Sequence, residues 1–293
     1  MITAEDERVR PPAGNGFADS VTVAFGDPGA EVYAIARLGV VPGGDPRVSA
    51  LAVLCAAGRP VGAVAQGQVE VEAPDWAALD AAGVRMETAE PLARWRVAFE
   101  ADQAGFDVQL SALTAPIELD ASSPAAVVGG MQGYDQLCRV QGTAVVGGSE
   151  RPLDGLGQRT HAWGVADWDR MELVRTVGAW IGEDLAVGLQ AVRRAGARGH
   201  DADAVSAWML GEDGPQQLSE ARLSTTYDDA GRQRRAGLEL WEREDSEYPH
   251  RVAGEVVCGS TFELGALRLD TAFFRFRMEG REGAGRYDLL RRA

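Results

Sequence analysis

The chain has 293 residues with 44 acidic against 29 basic, a formal net charge of −15, and its hydrophobic and charged fractions of 45% and 25% are those of a folded globular protein. So acidic a chain is a poor partner for nucleic acid, whose binding rests on neutralised phosphates. All the basic residues are Arg, and the absence of Lys excludes a Walker A phosphate loop, a pyridoxal-phosphate site and any lysine Schiff base.

The length allows two domains of ordinary size or one large all-β unit. No run approaches the roughly 18 apolar residues of a membrane helix. Residues 1–8 are acidic and lack the apolar stretch of a secretory signal, so a cytoplasmic protein without a membrane span is expected. Cys55, Cys138 and Cys258 are odd in number and far apart, which suits buried reduced thiols. His161, His200 and His250 are equally scattered, and no metal or other cofactor is expected.

After a polar start, Val21–Phe25, Glu31–Val41, Val48–Cys55 and Val61–Glu72 are short apolar-rich runs separated by turn formers at residues 26–29, 42–46 and 57–60. This is the rhythm of an antiparallel all-β domain. Pro74–Ala82 breaks it: Pro74 and Asp75 open the segment, Trp76, Leu79 and Ala82 recur at helical spacing and Gly83 can end it, which predicts a short helix. Strands resume with Trp95–Glu100 and Phe106–Ser111, whose alternation marks a sheet with one buried face. Residues 114–133 are too rich in small residues for a strand and read as a connector with a helical turn from Ser123 and Pro124. The domain boundary is therefore set at 125, giving domains of residues 1–125 and 126–293.

Tyr134–Val146, the turn at Gly147 and Gly148 and the segment after it open the second β domain as a hairpin. Met171–Ile181, Leu185–Arg193, Ala204–Leu210, Gln217–Tyr227, Gly237–Arg243, Gly254–Cys258 and Thr261–Glu279 continue it. Trp180, Trp208 and Trp241 read as core, Glu239–Glu247 as a solvated face and turn, and His200 as part of a solvated Gly- and charge-rich loop. Two all-β halves of similar size admit an ancient duplication.

The densest chemistry lies in Gly155–Asp169. With the two-residue period of a strand, Arg159, His161, Trp163, Val165 and Asp167 share one face, while Thr160, Ala162, Gly164 and Ala166 share the other. A straight strand holds Arg159 and Asp167 about 26 Å apart, so only a kink could gather all five, and Gly164 is where a bulge would be tolerated. The alternative is that the two Trp fill the core and the His and Arg satisfy its polar groups.

Residues 134–143 followed by 155–168 resemble the signature of the carotenoid 1,2-hydratase (hydroxyneurosporene synthase) and AttH-like superfamily, usually close to G-x-G-x-R-D-H-S-W-G-x-R-D-W. Arg159, His161, Trp163, Gly164, Asp167 and Trp168 match; Thr160, Ala162 and Ala166 stand where the family has Asp, Ser and Arg. The resemblance implies two consecutive lipocalin-like antiparallel β-barrel or sandwich domains packed together, with few short helices. It also implies a cofactor-free hydratase, cyclase or isomerase acting on an apolar isoprenoid- or polyketide-like molecule between them.

Adding water to an alkene or cyclising a polyene begins with protonation of carbon, which needs a protonated acid in a dry pocket. Asp167 is the expected acid and His161 its relay. Trp163 and Trp168 offer π faces to a cation, and Arg159, Tyr134 and Asp135 are expected to contact the substrate. The other reading is a non-catalytic carrier of a lipid-like ligand, which the Thr160 and Ala162 departures favour.

Overall fold

The computed structural model describes residues 1–42, 45–198 and 203–293; His200 lies outside them. The chain divides into two compact units. The first comprises residues 1–118 and 131–166, the second residues 119–130 and 167–293. This division differs from a single boundary at 125, because the hairpin expected to open the second domain completes the sheet of the first.

The first unit starts with a 3-10 turn, Ala4–Glu7. Its strands are β1 (Phe17–Asp27), β2 (Val32–Val41), β3 (Arg47–Ala56), β4 (Arg59–Glu70), β5 (Ala78–Ala81), β6 (Val84–Glu90), β7 (Arg94–Ala101), β8 (Ala104–Ala112), β9 (Ile117–Leu119), β10 (Met131–Val146) and β11 (Ser149–Val165). They run in the order β4-β3-β2-β1-β11-β10-β8-β7-β6-β5, with β9 beside β10, so the first and last long strands are neighbours. Every second residue of β2 and β3, from Val32 to Val40 and Val48 to Ala56, enters one buried core with Phe25, Phe99 and Phe106.

The second unit opens with α1 (Pro124–Gly129), preceded by Ser123 and ended by Gly130 in the left-handed conformation. Its strands are β12 (Met171–Gly182), β13 (Leu185–Arg194), β14 (Asp203–Gly211), β15 (Gly214–Gln217), β16 (Glu220–Tyr227), β17 (Gln233–Trp241), β18 (His250–Leu264), β19 (Leu267–Met278) and β20 (Arg281–Arg292). Their order, β15-β14-β13-β12-β20-β19-β18-β17-β16, repeats the winding of the first sheet. Trp180 and Trp208 are buried, while Trp241 is half-buried with Arg222 over its ring. The two sheets curl into a barrel and a half-barrel, an all-β architecture.

Tight hairpins set the register. Ala57 and Gly58, Ala82 and Gly83, Gly147 and Gly148, and Glu279 and Gly280 all have positive φ at both positions, the geometry of a type I′ turn. The pair Ala82–Gly83 explains why no helix forms over Pro74–Ala82. Leu79 and Ala81 are buried and Ala78 and Asp80 exposed, a period of two leading into a hairpin, and the helical spacing of Trp76, Leu79 and Ala82 is coincidental. Thr261–Glu279 is likewise divided, by a turn with Gly265 at φ 68°.

Gly133 on β10 faces Ala162 on β11, and a Cβ there would overlap the His161 carbonyl oxygen. Gly133→Ala is expected to destabilise the protein by about 1–3 kcal/mol through overpacking, read as a lowered urea midpoint with an unchanged slope.

Candidate active site

Three strands set the site. In the ladders that β11 makes with β1 and β10, His161 lies opposite Val21 and Tyr134, Trp163 opposite Asp19, and Arg159 opposite Val23 and Gln136. The odd-numbered residues of β11 thus point into the first unit beside its apolar core. Both ladders continue through Gly164 without a register shift, so the strand is not bulged there.

Asp19, fully buried, accepts three N–H groups. His161 Nε2 lies 2.6 Å from Oδ1, while the backbone N–H of Arg10 and the indole N–H of Trp76 donate to Oδ2 at 2.7 and 3.2 Å. On the other side of the ring, His161 Nδ1 is 3.3 Å from the Tyr134 hydroxyl. That hydroxyl donates to Glu7 Oε1 at 2.7 Å and accepts from Arg159 at 3.2 Å. Glu7 Oε2 in turn accepts from Arg159 Nη2 at 2.7 Å and from the Trp95 indole at 3.3 Å. A hydrogen-bonded chain, Glu7–Tyr134–His161–Asp19, therefore runs through the interior, with Arg159 alongside it.

Aromatic rings wall this chain. Trp76, Tyr134 and Trp163 stand edge-on to His161 with centroids 5.8, 5.5 and 5.3 Å away. The Arg159 guanidinium lies 4.6 Å from the Trp95 centroid and that of Arg10 3.9 Å from Trp163. The faces of Trp95 and Trp163 thus each hold a cation, and the rings exclude water.

Arg159, His161, Trp163 and Tyr134 thus converge. Asp135 does not join them: it points to the opposite face of β10, where its carboxylate accepts the Thr160 hydroxyl at 2.6 Å. For the same reason Thr160, although next to His161 in sequence, faces away from it. Asp167 and Trp168 lie past the end of β11, in the second unit. Asp167 Oδ1 accepts the Asp169 backbone N–H at 3.0 Å, and Trp168 packs against Ala125, Val128, Met171 and Val192. The carboxylate bonded to His161 is Asp19, while Asp167, the expected acid, belongs to the other unit. Glu7, Asp19, Arg10, Trp76 and Trp95 were not anticipated. Asp19 left a sequence signal, being in phase with Val21, Val23 and Phe25, whereas Glu7 left none.

Burial pushes His161 below its ordinary value, outweighing the hydrogen bond that its Nε2–H donates to Asp19, so the ring is neutral with its lone pair on Nδ1 toward Tyr134. Burial also raises the Tyr134 phenol, which stays protonated, and holds the Cys138 thiol up to about 12. A lowered His pKa makes the unfolded chain the better proton acceptor below about pH 6.5. Stability is then complete above that pH and falls as the pH drops toward the folded value. Denaturation between about pH 8 and 5 is expected to show a loss of up to about 1.4 kcal/mol per pH unit below 6.5 that disappears in His161→Gln. An unchanged loss in the variant would assign it to another group.

Among the described residues, no three His, Cys, Asp or Glu side chains group to hold a metal ion, and no helix is long and apolar enough to cross a membrane. A small cavity lined by Val21, Val23, Trp76, Met86, Trp95 and Arg159 adjoins the chain of hydrogen bonds, with room of about 10 Å³, roughly one water. The second unit has a larger cleft of about 1060 Å³, with Arg175, Asp203, Leu223, Leu238, Val252 and Met278 in its lining.

The family described as Domain of unknown function (DUF7064) matches residues 3–292. No curated protein matches the chain. Solved structures resemble it over nearly its whole length. An AttH protein from Nitrosomonas europaea is 12% identical, with a TM-score of 0.69 over 93% of this chain and 91% of that one. Kievitone hydratase from Nectria haematococca is 10% identical, with a TM-score of 0.63 over 99% and 93%. CghA with Sch210972 is 12% identical, with a TM-score of 0.61 over 95% and 89%. At these identities the likeness establishes the fold, the lipocalin-like architecture of AttH-like proteins.

Proposed function

We propose that this chain, which belongs to the family described as Domain of unknown function (DUF7064), is a hydratase- or cyclase-type enzyme acting on an apolar small molecule of isoprenoid or polyketide type. The observation that carries this reading is the buried chain Glu7–Tyr134–His161–Asp19. It sets an imidazole between a carboxylate and a phenol, an arrangement through which a proton can be relayed. One neighbour in fold is named a hydratase and another holds the small molecule Sch210972, which supports the same class.

The chemistry follows from the geometry. Asp19 holds the proton of His161 on Nε2, which leaves Nδ1 as the acceptor facing Tyr134. The Tyr134 hydroxyl has one proton and two acceptors, Glu7 at 2.7 Å and His161 at 3.3 Å. Tyr134 gives its proton to substrate, His161 Nδ1 takes the proton that the adding water releases and returns it to the Tyr134 phenolate, and Asp19 is the positioning residue that stabilises the transient imidazolium. Arg159, 3.2 Å from the hydroxyl, stabilises the phenolate while its proton is away. In a hydration, the proton delivered to substrate is returned by the adding water, so the site is restored at each turnover. A buried Tyr is a weak acid. The scheme therefore suits a double bond polarised by a neighbouring carbonyl better than an isolated alkene.

Mass spectrometry of the protein incubated with a panel of polyenes and enones tests the reading. A product that has gained water or isomerised is expected. A stoichiometric ligand that leaves unchanged would instead favour a carrier, a reading supported by the larger cleft of the second unit.

A further inference from the structure

Glu7 is 5% exposed, yet it belongs to no strand of the barrel. It is carried on a four-residue 3-10 turn closed by Thr3 and Asp6, each bonding the other's backbone. The backbone–backbone hydrogen bonds of this segment, Asp6 N–H to Thr3 and Arg8 N–H to Glu5, are local, and among the described residues none joins it to the sheet. It is fixed to the first unit by Glu7 itself, the Arg10 backbone N–H on Asp19, Arg10 over Trp163, partly buried Ile2 and Val9, and the Met1 amino group 3.0 Å from Glu118. A segment held without a ladder can lift without breaking the sheet, and what opposes its lifting is chiefly the buried pair of Glu7 with Arg159.

The groups that receive Glu7 all belong to the barrel. Arg159 on β11, Tyr134 on β10 and Trp95 on β7 point three donors at the two oxygens of one carboxylate, at 2.7, 2.7 and 3.3 Å. Arg159 and Tyr134 are almost wholly buried. Apolar Val21, Val23, Met86 and Val97 line the adjoining cavity. A guanidinium with two further donors beside an apolar wall is what recognises an apolar acid.

We infer that Arg159, Tyr134 and Trp95 form a carboxylate-binding cradle occupied by Glu7 of a removable N-terminal strap, and that the substrate is an apolar molecule bearing a carboxylate that displaces Glu7. This deepens the proposed function, on whose site it rests, and gives it a substrate class. The small apolar cavity that Arg159 and Trp95 also line, with room for about one water while Glu7 is in place, is where the apolar part of such a molecule would begin.

Sodium octanoate and its uncharged counterpart octanamide are the probes, titrated into the 293-residue chain and read by Trp fluorescence and thermal melting. Because the wild-type cradle is open only in the fraction of molecules with the strap lifted, Glu7→Ala is expected to bind octanoate at least about tenfold more tightly than wild type. Its melting temperature should rise saturably with octanoate and not with octanamide. Adding Arg159→Met to Glu7→Ala should abolish the preference for the acid.

Should Glu7→Ala fail to fold alone, refolding in octanoate is expected to recover it, and Glu7→Gln, which keeps the side-chain shape, should show the same selectivity. Equal responses to acid and amide in whichever of these variants folds would overturn the inference. So would a preference for octanoate that survives Arg159→Met. These readouts need no turnover. Conversion of a neutral substrate without octanoate selectivity would sink the cradle and leave the enzyme standing, while selective binding without conversion would do the reverse.

Discussion

Tyr134→Phe is expected to lower turnover by about 10²–10⁴-fold, the ordinary contribution of a positioned acid–base group, while the fold survives. The lost hydroxyl joins Glu7, Arg159 and His161, so its removal separates the imidazole from the substrate side of the site. The stability cost should be about 1–3 kcal/mol, that of leaving buried groups of Arg159 and His161 without the hydroxyl, and Glu7 keeps Arg159 and Trp95. His161→Gln should match the loss, and the double variant should be scarcely worse than either single one, since groups acting as a unit are not additive. Initial rates with denaturation curves on the same preparations check this. Additive losses would mean that the two residues act separately.

Arg159→Met should be the most destabilising substitution in the site. Arg159 and Glu7 pair at 2.7 Å with side chains 2% and 4% exposed. Removing one partner of a buried pair leaves a charge without compensation, at a cost of about 3–5 kcal/mol. Glu7→Gln in the same chain should recover much of that loss. The coupling between the two sites in a double-mutant cycle, read by urea denaturation, should therefore be large. A loss from Arg159→Met within about 1 kcal/mol, the range of exposed pairs, would show that water reaches the pair and that the site is open.

Much of the fold was legible because strand alternation and turn chemistry are local. The run from Val48 to Cys55 and the pair Gly147–Gly148 encode a buried strand and a hairpin turn within a few residues. Errors came where one local signal imitated another: Trp76, Leu79 and Ala82 carry helical spacing by accident and lead into a β-hairpin. The unit boundary was hidden for a different reason. Residues 131–166 pair with β1 and β8, and partner choice across more than a hundred residues leaves no mark on the strands themselves.

Half of the candidate site was equally local. Arg159, His161 and Trp163 fall on one face of β11 by the period of two, and the register adds Tyr134. Asp167 has the same parity, but parity means nothing once the strand ends at Val165. The carboxylates that do meet the cluster, Asp19 and Glu7, come from more than 140 residues away in the chain. Only folding brings them there.

In the proposed chemistry Tyr134 and His161 move a proton to a bound small molecule. The most direct measurement is product formation by wild type, Tyr134→Phe and Asp167→Asn from one panel of carboxylated polyenes and enones. Conversion by wild type and Asp167→Asn, and none above background by a folded Tyr134→Phe, is the predicted result. Full conversion by Tyr134→Phe, or its loss in Asp167→Asn alone, would contradict it.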